Sequence, residues 1–244
     1  YVAFPQAGVM SCPGTAQVLQ QALAEGVEVV GGIDPQGMDR DVDGQLDVLF
    51  GLADRHGARI DIHLHDPGEQ GVAQLLQICA RTEAGGLQGR VVVSHAYALG
   101  EVPQARALHA GERLARAQVA IMTNAPGDRP FPPVAALHAQ GVRVFAGNDN
   151  IRDCWWPYGN GDLLQRAMLI GYRSGFHTDE ALRLALDMVT GEAAAAIGLS
   201  GYGLAEGLPA TFVAVRAEHG PAAVAGVPED RLSMRNGRWI LPPP

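Results

Sequence analysis

The chain has 244 residues, of which 47% are hydrophobic and 18% are charged. This composition is typical of one or two globular domains with a sizeable core, and it excludes an intrinsically disordered chain. The formal net charge is −8 and no basic cluster is present, so nucleic acid and anionic membranes are poor candidates for partners.

Six short apolar segments predict the strands of a sheet, and the segments between them predict helices. In the segment 41–57, for example, apolar residues recur at helical spacing. Short apolar strands that alternate with helices indicate a parallel sheet buried on both faces. The strand candidates are residues 2–4, 27–33, 58–65, 89–96, 117–124 and 142–149.

After about residue 150 the alternation of strands and helices ends. Two helical stretches follow at 161–175 and 178–199. The segments 211–217 and 231–240 are then expected to form short strands outside the repeat. The sequence therefore predicts a partial barrel over residues 1–200 and a small C-terminal β segment, part of a composite β domain, over residues 201–244.

Polar side chains collect at or just after the carboxyl ends of the predicted strands. In a parallel α/β barrel that end carries the active site. A doubly wound sheet would normally show a glycine-rich phosphate turn, and none is present, so the pattern favours a barrel. A closed eightfold barrel needs two more strands than the six in this sequence. The strand-end residues are Gln6, Asp34, His63, His65, His95, Asn124, Asp149 and Asn150.

His63 and His65 stand two residues apart on one predicted strand and therefore point to the same face. His95 and Asp149 end later strands. Imidazole and carboxylate groups brought together in this way form open catalytic metal sites. We expect His63, His95 and Asp149 to converge at the mouth of the sheet.

Several separated motifs resemble the cytosine deaminase branch of the amidohydrolase superfamily. They are VAFPQAGVMSCPG at the start, IDIHLHD, VVVSHAYALG, GNDNIRDCWWPYGNGD, and VTGEAAAAIGLSGYGL near the end. The resemblance implies a (β/α)8 barrel with one catalytic divalent metal ion, zinc or iron. It matches VAFPQ to the third barrel strand, so strands one and two, with the family's first His-x-His metal pair, are expected to be missing from this sequence.

The resemblance also implies roles for individual residues. His63 matches the metal ligand of the fifth strand, His95 the histidine of the sixth, and Asp149 the metal-binding aspartate of the eighth. Gln6 matches the glutamine that binds the pyrimidine ring amide. Trp155 matches an aromatic wall of the pocket.

Two positions depart from the family pattern. The proton-shuttling glutamate is replaced by Asp66, and Glu69 follows three residues later. The usual second aspartate is Asn150, which keeps hydrogen bonding but removes a charge. The substrate is therefore expected to be a small, cytosine-like amino-substituted nitrogen heterocycle that differs from cytosine itself: another amino-pyrimidine, a triazine, a pterin or a related cyclic amidine.

The predicted reaction is hydrolytic release of ammonia, with Asp66, His95 and Asp149 as catalytic residues and His63 and Asp149 as metal ligands. Two alternatives stay open. The same barrel can hydrolyse a cyclic or N-substituted amide or amine, or the chain is a catalytically incomplete fragment. Two open sheet edges would also predict a homo-oligomer, or folding with the missing N-terminal segment.

The sequence further predicts a cytoplasmic protein. The first residues lack the basic segment of a signal peptide, and no apolar run approaches the roughly 18 residues of a membrane-spanning helix. The three cysteines are far apart and show no CxxC spacing, which suits a reducing compartment.

Overall fold

The structure is a computed structural model that describes residues 1–241, and within that range six parallel strands form one sheet in chain order. Each strand pairs with the strand before it in the sequence, which is the arrangement of consecutive β/α units. The strands are β1 Val2–Ala3, β2 Val29–Ile33, β3 Arg59–Leu64, β4 Val91–His95, β5 Ala120–Thr123 and β6 Val144–Ala146.

Helices separate the strands, as the sequence predicts. The helix before β3 shows the predicted local signals: it begins after Asp41, whose side chain accepts a hydrogen bond from the Gly44 amide, and it ends at Gly57 in the left-handed conformation. The helices of this part are α1 Thr15–Ala24, α2 Val42–His56, α3 Gly68–Ala84, α4 Ala98–Glu101, α5 Gln104–Ala117 and α6 Val134–Ala139.

The two faces of β3 differ in burial. Ile60, Ile62 and Leu64 are fully buried, whereas the alternating residues Arg59, Asp61 and His63 are only half-buried. Because side chains alternate along a strand, the second set shares one face and the first set lies in the core. This alternation directs His63 away from the apolar core.

The chain forms two compact units, Tyr1–Val144 and the residues from Phe145 onward. In the described part of the second unit, three helices come first, and a three-stranded antiparallel sheet with its strands in chain order follows them. A fourth helix lies between the first and second strands of that sheet. The predicted division at residue 200 stays a prediction. The elements are α7 Leu163–Arg173, α8 Asp179–Met188, α9 Gly191–Ala196, β7 Phe212–Val215, α10 Gly220–Gly226, β8 Arg231–Arg235 and β9 Arg238–Leu241.

Two predicted elements of the second unit are each divided in two. The strand expected over 231–240 is a hairpin, because Asn236 and Gly237 both have positive φ (49° and 75°) and turn the chain back. The single helix expected within 178–199 is interrupted at Val189 and Thr190, between α8 and α9. The described residues contain no helix long and apolar enough to cross a bilayer.

Candidate active site

Three imidazole rings meet at the carboxyl ends of β3 and β4. His63 lies on β3, His65 follows it, and the strand register pairs Leu64 with His95 at the end of β4. One ring nitrogen from each of the three histidines lies within 4.8 Å of the others. Nε2 of His95 is 3.3 Å from Nδ1 of His63, and the His65 and His95 rings stack with centroids 4.3 Å apart.

The backbone is left-handed at the ends of several strands. Asp34 follows β2 with a φ of 34°, His95 and Ala96 end β4 with φ of 73° and 46°, and Ala125 follows β5 with a φ of 45°. In the second unit, Asp149 follows β6 with a φ of 60°. Each such residue costs about 1–3 kcal/mol, and such conformations concentrate at functional sites.

Tyr97 and Asn124 fix the protonation of His95. The Tyr97 hydroxyl donates to Oδ1 of Asn124 (3.1 Å), so it accepts from Nδ1–H of His95 (3.0 Å). Burial, with smaller contributions from the neighbouring His65 and His63, lowers the pKa of His95 to about 2. His95 is therefore neutral, and its Nε2 lone pair faces His63.

Asp34 holds His65. Its Oδ2 accepts a hydrogen bond from Nδ1 of His65 (2.9 Å). Its Oδ1 accepts from the backbone amides of His65 and Asp66. The Asp34 amide in turn donates to the His63 carbonyl (2.9 Å), so this residue bonds to His63, His65 and Asp66 around the end of β3.

Asp66 is a buried carboxylate, whereas Glu69 is not. Asp66 is 6% exposed, and its Oδ2 accepts from the Gly37 amide (3.1 Å) and from the side chain of Gln74 (2.9 Å). The Glu69 side chain is 64% exposed on α3 and pairs with Arg106. The position that matches the family's shuttle therefore holds the sheltered carboxyl group.

Another carboxyl group lies on β3 itself, two residues before His63. Asp61 accepts a hydrogen bond from the Ser94 hydroxyl (2.8 Å), which joins β3 to β4 beneath His63. Burial raises the pKa of Asp61 to about 6, and the Ser94 bond partly offsets that rise. This pair links the two strands that carry the three histidines.

The end of β1 borders the same cluster. The ring of Phe4 lies against His63, with centroids 4.6 Å apart. Gln6 follows two residues later, with an exposed side chain and a backbone amide that donates to the Phe4 carbonyl (3.2 Å). Gln6 thus comes from the strand end whose aromatic residue contacts His63.

In the second unit, Arg166 of α7 holds the segment that contains Asp149. Its guanidinium donates to the side-chain and backbone oxygens of Asn148 (3.4 and 3.3 Å). Burial lowers the pKa of Arg166, and the nearby Asp149 charge opposes that shift. Arg166 was not foreseen from the sequence, because its partner lies eighteen residues earlier in the chain.

Asp153 organises the loop that follows. It accepts from the Asn150 side chain (2.8 Å) and from the backbone amides of Trp155 and Trp156 (3.0 Å each). Trp155 is 66% exposed. The predicted site residues thus fall in both units: Gln6, His63, Asp66 and His95 in the first, Asp149, Asn150 and Trp155 in the second.

The three histidines suit a divalent cation. Neutral imidazole is a common ligand for zinc and iron, and the three rings each bring one nitrogen to within 4.8 Å of the other two. Metal-binding histidines usually donate their other N–H to a carboxylate or another fixed acceptor. His65 does so to Asp34 and His95 to Tyr97, so the donor set fits such an ion.

The sequence matches the amidohydrolase family over residues 2–237. The chain therefore belongs to that family, whose members typically use a divalent metal, and the predicted fold class is confirmed as a partial (β/α) barrel with a C-terminal β appendage.

Three individual proteins are similar to this chain over nearly its whole length. The chain is 31% identical over 241 residues to N-isopropylammelide isopropyl amidohydrolase of Pseudomonas sp. (strain ADP), covering 98% of this chain and 60% of the relative. It is 44% identical, with a TM-score of 0.94, to the crystal structure of N-isopropylammelide isopropylaminohydrolase from Burkholderia multivorans ATCC 17616, covering 98% of this chain and 61% of that one. A 5-methylcytosine deaminase from Klebsiella pneumoniae is 28% identical with a TM-score of 0.88, and all of this chain aligns with 63% of it.

Proposed function

We propose that the protein is a metal-dependent hydrolase that cleaves an exocyclic C–N bond on a small nitrogen heterocycle. The observation that carries this proposal is the cluster of His63, His65 and His95 at adjacent strand ends, in which Asp34 holds the ring of His65 and Tyr97 holds the ring of His95. A site built from neutral imidazoles binds a cation and leaves the nucleophile to water.

His63 and Asp149 would hold the ion, and His65, which belongs to the same histidine cluster, would be a further ligand. A divalent ion lowers the pKa of water to about 7 and so supplies a hydroxide nucleophile at neutral pH. Asp149 would accept the proton of the water, while Nε2 of His95 accepts its hydrogen bond. Because His95 is neutral with its proton on Nδ1, it orients the nucleophile as an acceptor.

Asp66 would carry the proton to the ring nitrogen and later to the leaving group. Its Oδ2 is occupied by Gly37 and Gln74, so Oδ1 is the atom for this transfer. A glycine at position 37 supports this role, because an added Cβ would lie 2.5 Å from Oδ1. A protonated ring nitrogen makes the neighbouring carbon electrophilic.

Three further residues would bind the substrate. The Gln6 amide orients the ring by hydrogen bonds, which matters because a misplaced ring loses rate steeply. Trp155 supplies an aromatic wall. Asn150 offers hydrogen bonds without charge, so restoring an aspartate there is expected to raise activity on cytosine relative to the native substrate.

Two leaving groups fit this chemistry. The higher identity to N-isopropylammelide hydrolases favours an alkylamine on a triazine ring, and the likeness to 5-methylcytosine deaminase favours ammonia. The nucleophile and proton route are the same in both cases. The space beside the leaving nitrogen decides between them.

The test is product analysis with metal-depleted and metal-restored protein. N-isopropylammelide, cytosine and 5-methylcytosine are supplied, and ammonia and isopropylamine are measured separately. We expect one amine product, dependent on Zn²⁺ or Fe²⁺, and its loss in His63→Asn and Asp149→Ala. His138→Asn, which changes an exposed histidine outside the cluster, is the matched control. Retention of activity after metal removal would refute the proposal.

A further inference from the structure

We infer that Asp34 is a positioning residue of this site: its carboxylate keeps the proton of His65 on Nδ1, so that the Nε2 lone pair is available to the histidine cluster. This inference rests on the proposed function, because it assigns Asp34 a role in the same site. Asp34 was recognised in the sequence only as one of several polar strand-end residues.

The geometry separates two tasks within one side chain. Oδ1 of Asp34 accepts from the amides of His65 and Asp66, and this alone would cap the end of β3. Oδ2 is directed instead at Nδ1 of His65, at 2.9 Å. A purely structural cap would not need the second oxygen.

The surroundings favour a fixed ring. The side chains of Asp34 and His65 are 17% and 35% exposed, so solvent reaches the pair only partly. Asp34 is held at a φ of 34°, outside the regions that most residues prefer. The stacking of His65 on His95 restrains the ring from the other side.

The donor and acceptor properties of the two side chains determine which nitrogen of His65 carries the proton. An ionised carboxylate only accepts hydrogen bonds, so the proton of this contact belongs to His65 Nδ1. A neutral imidazole then carries its lone pair on Nε2. Only that nitrogen can bind a cation or accept a proton from water, and Asp34 therefore determines which atom His65 presents.

Asp34→Asn tests this with almost no change in shape. The asparagine oxygen keeps the two backbone bonds, and its NH₂ group then faces Nδ1 and donates to it. The proton of His65 is thereby moved to Nε2. We expect ¹⁵N NMR of the metal-free wild-type protein to show a protonated Nδ1 on His65, and the variant to show a protonated Nε2.

Cation binding gives a second readout. Loss of a carboxylate partner of a metal-binding histidine typically costs 10–100-fold in affinity. We expect Asp34→Asn to weaken Co²⁺ binding by about that factor, as followed by Co²⁺ absorption. Asp41→Asn removes a carboxylate from the same β2–α2 connection, keeps the helix cap, and should leave Co²⁺ binding unchanged.

A double-mutant cycle separates positioning from a structural effect. If Asp34 acts through His65, Asp34→Asn should add nothing to the loss of Co²⁺ affinity caused by His65→Ala. Independent, additive losses would overturn the inference. A wild-type protein with the proton of His65 on Nε2 would overturn it as well, without any variant having to fold. None of these measurements needs turnover, so an inactive protein with the expected tautomer refutes the proposed function and leaves this inference standing.

Discussion

The ring of Phe4 lies against the ring of His63, with centroids 4.6 Å apart and planes inclined by 53°. The contact crosses β2, and it is possible because that strand carries Gly31. A Cβ added at Gly31 would lie 2.8 Å from the Phe4 ring and 3.0 Å from the Ala3 carbonyl oxygen. A glycine in the middle strand thus lets an apolar ring border a candidate metal ligand.

Gly31→Ala should therefore displace Phe4 and loosen His63. Overpacking of this kind costs about 1–3 kcal/mol, and urea unfolding should show a loss in that range. Co²⁺ affinity should fall at the same time. Gly127→Ala, where an added Cβ meets nothing within 4 Å, should change neither quantity. Equal effects of the two substitutions would contradict the packing argument.

Asp66→Asn and Glu69→Gln distinguish the two carboxyl groups after β3. If Asp66 transfers the proton, its amide variant should lose about 10²–10⁴ in kcat. Glu69→Gln should cost little, because that side chain is exposed and pairs only with Arg106 among its described contacts. The pH dependence of kcat checks the assignment, since a variant without the proton-transferring carboxyl group should lose one of the two slopes of the pH–rate profile. A larger loss of kcat in Glu69→Gln than in Asp66→Asn would show that Glu69 transfers the proton.

The ion pair between Asp162 and Arg231 gives a pH-dependent prediction for the second unit. Both guanidinium nitrogens donate to the carboxylate, at 2.8 and 2.6 Å, and Arg231 holds the pKa of Asp162 below its usual value. The pair's contribution is therefore complete above the unfolded pKa of about 3.9 and is lost as the pH falls through the lower folded pKa.

Arg231→Met should cost about 1–3 kcal/mol at pH 7, and this difference from wild type should shrink in acid. Unfolding in urea at a series of pH values measures it. Arg216→Met removes the partner of Asp230 from a pair that is 86% and 77% exposed, so it should cost less than about 1 kcal/mol. A cost for Arg231→Met that does not change with pH would exclude the ion pair as its source.

The cysteines should differ in reactivity. Cys79 is fully buried on α3, and burial raises the pKa of its thiol to about 12, whereas Cys154 is exposed. Since the thiolate is the nucleophile, iodoacetamide at pH 8 should label Cys154 quickly and Cys79 only after unfolding. Peptide mass spectrometry follows both positions. Comparable labelling of the two in native protein would show that α3 opens readily.

The sequence was sufficient to predict β3, because period-two alternation over residues 60–65 requires Ile60 and Ile62 to face the core and His63 and His65 to share the other face. The position of His95 also followed, because carboxyl ends of parallel strands meet at one edge. The hairpin at Asn236 and Gly237 was missed although its signal was present: Asn-Gly is the usual pair for a two-residue turn.

Other features depend on how strands and loops are aligned with each other. The Phe4 contact needs the register of β1 on β2, which no short segment encodes. The bond from Asp34 to His65 joins residues 31 positions apart, and it exists only once the ends of β2 and β3 are aligned. Tyr97 can accept from His95 because its own hydroxyl donates to Asn124, and Asn124 follows the next strand, β5.

The register of the parallel sheet also has a consequence for how the chain folds. Val2 pairs with Val29, Val29 with Arg59, Ile60 with Val91, and Val92 with Ala120, so each new strand closes a loop of roughly thirty residues onto its predecessor. The entropy cost of each closure is therefore nearly the same. Since a strand needs only the one made before it, the sheet can assemble from its amino end while synthesis continues. The histidines of β3 and β4 would then come together before the segment that carries Asp149 has left the ribosome.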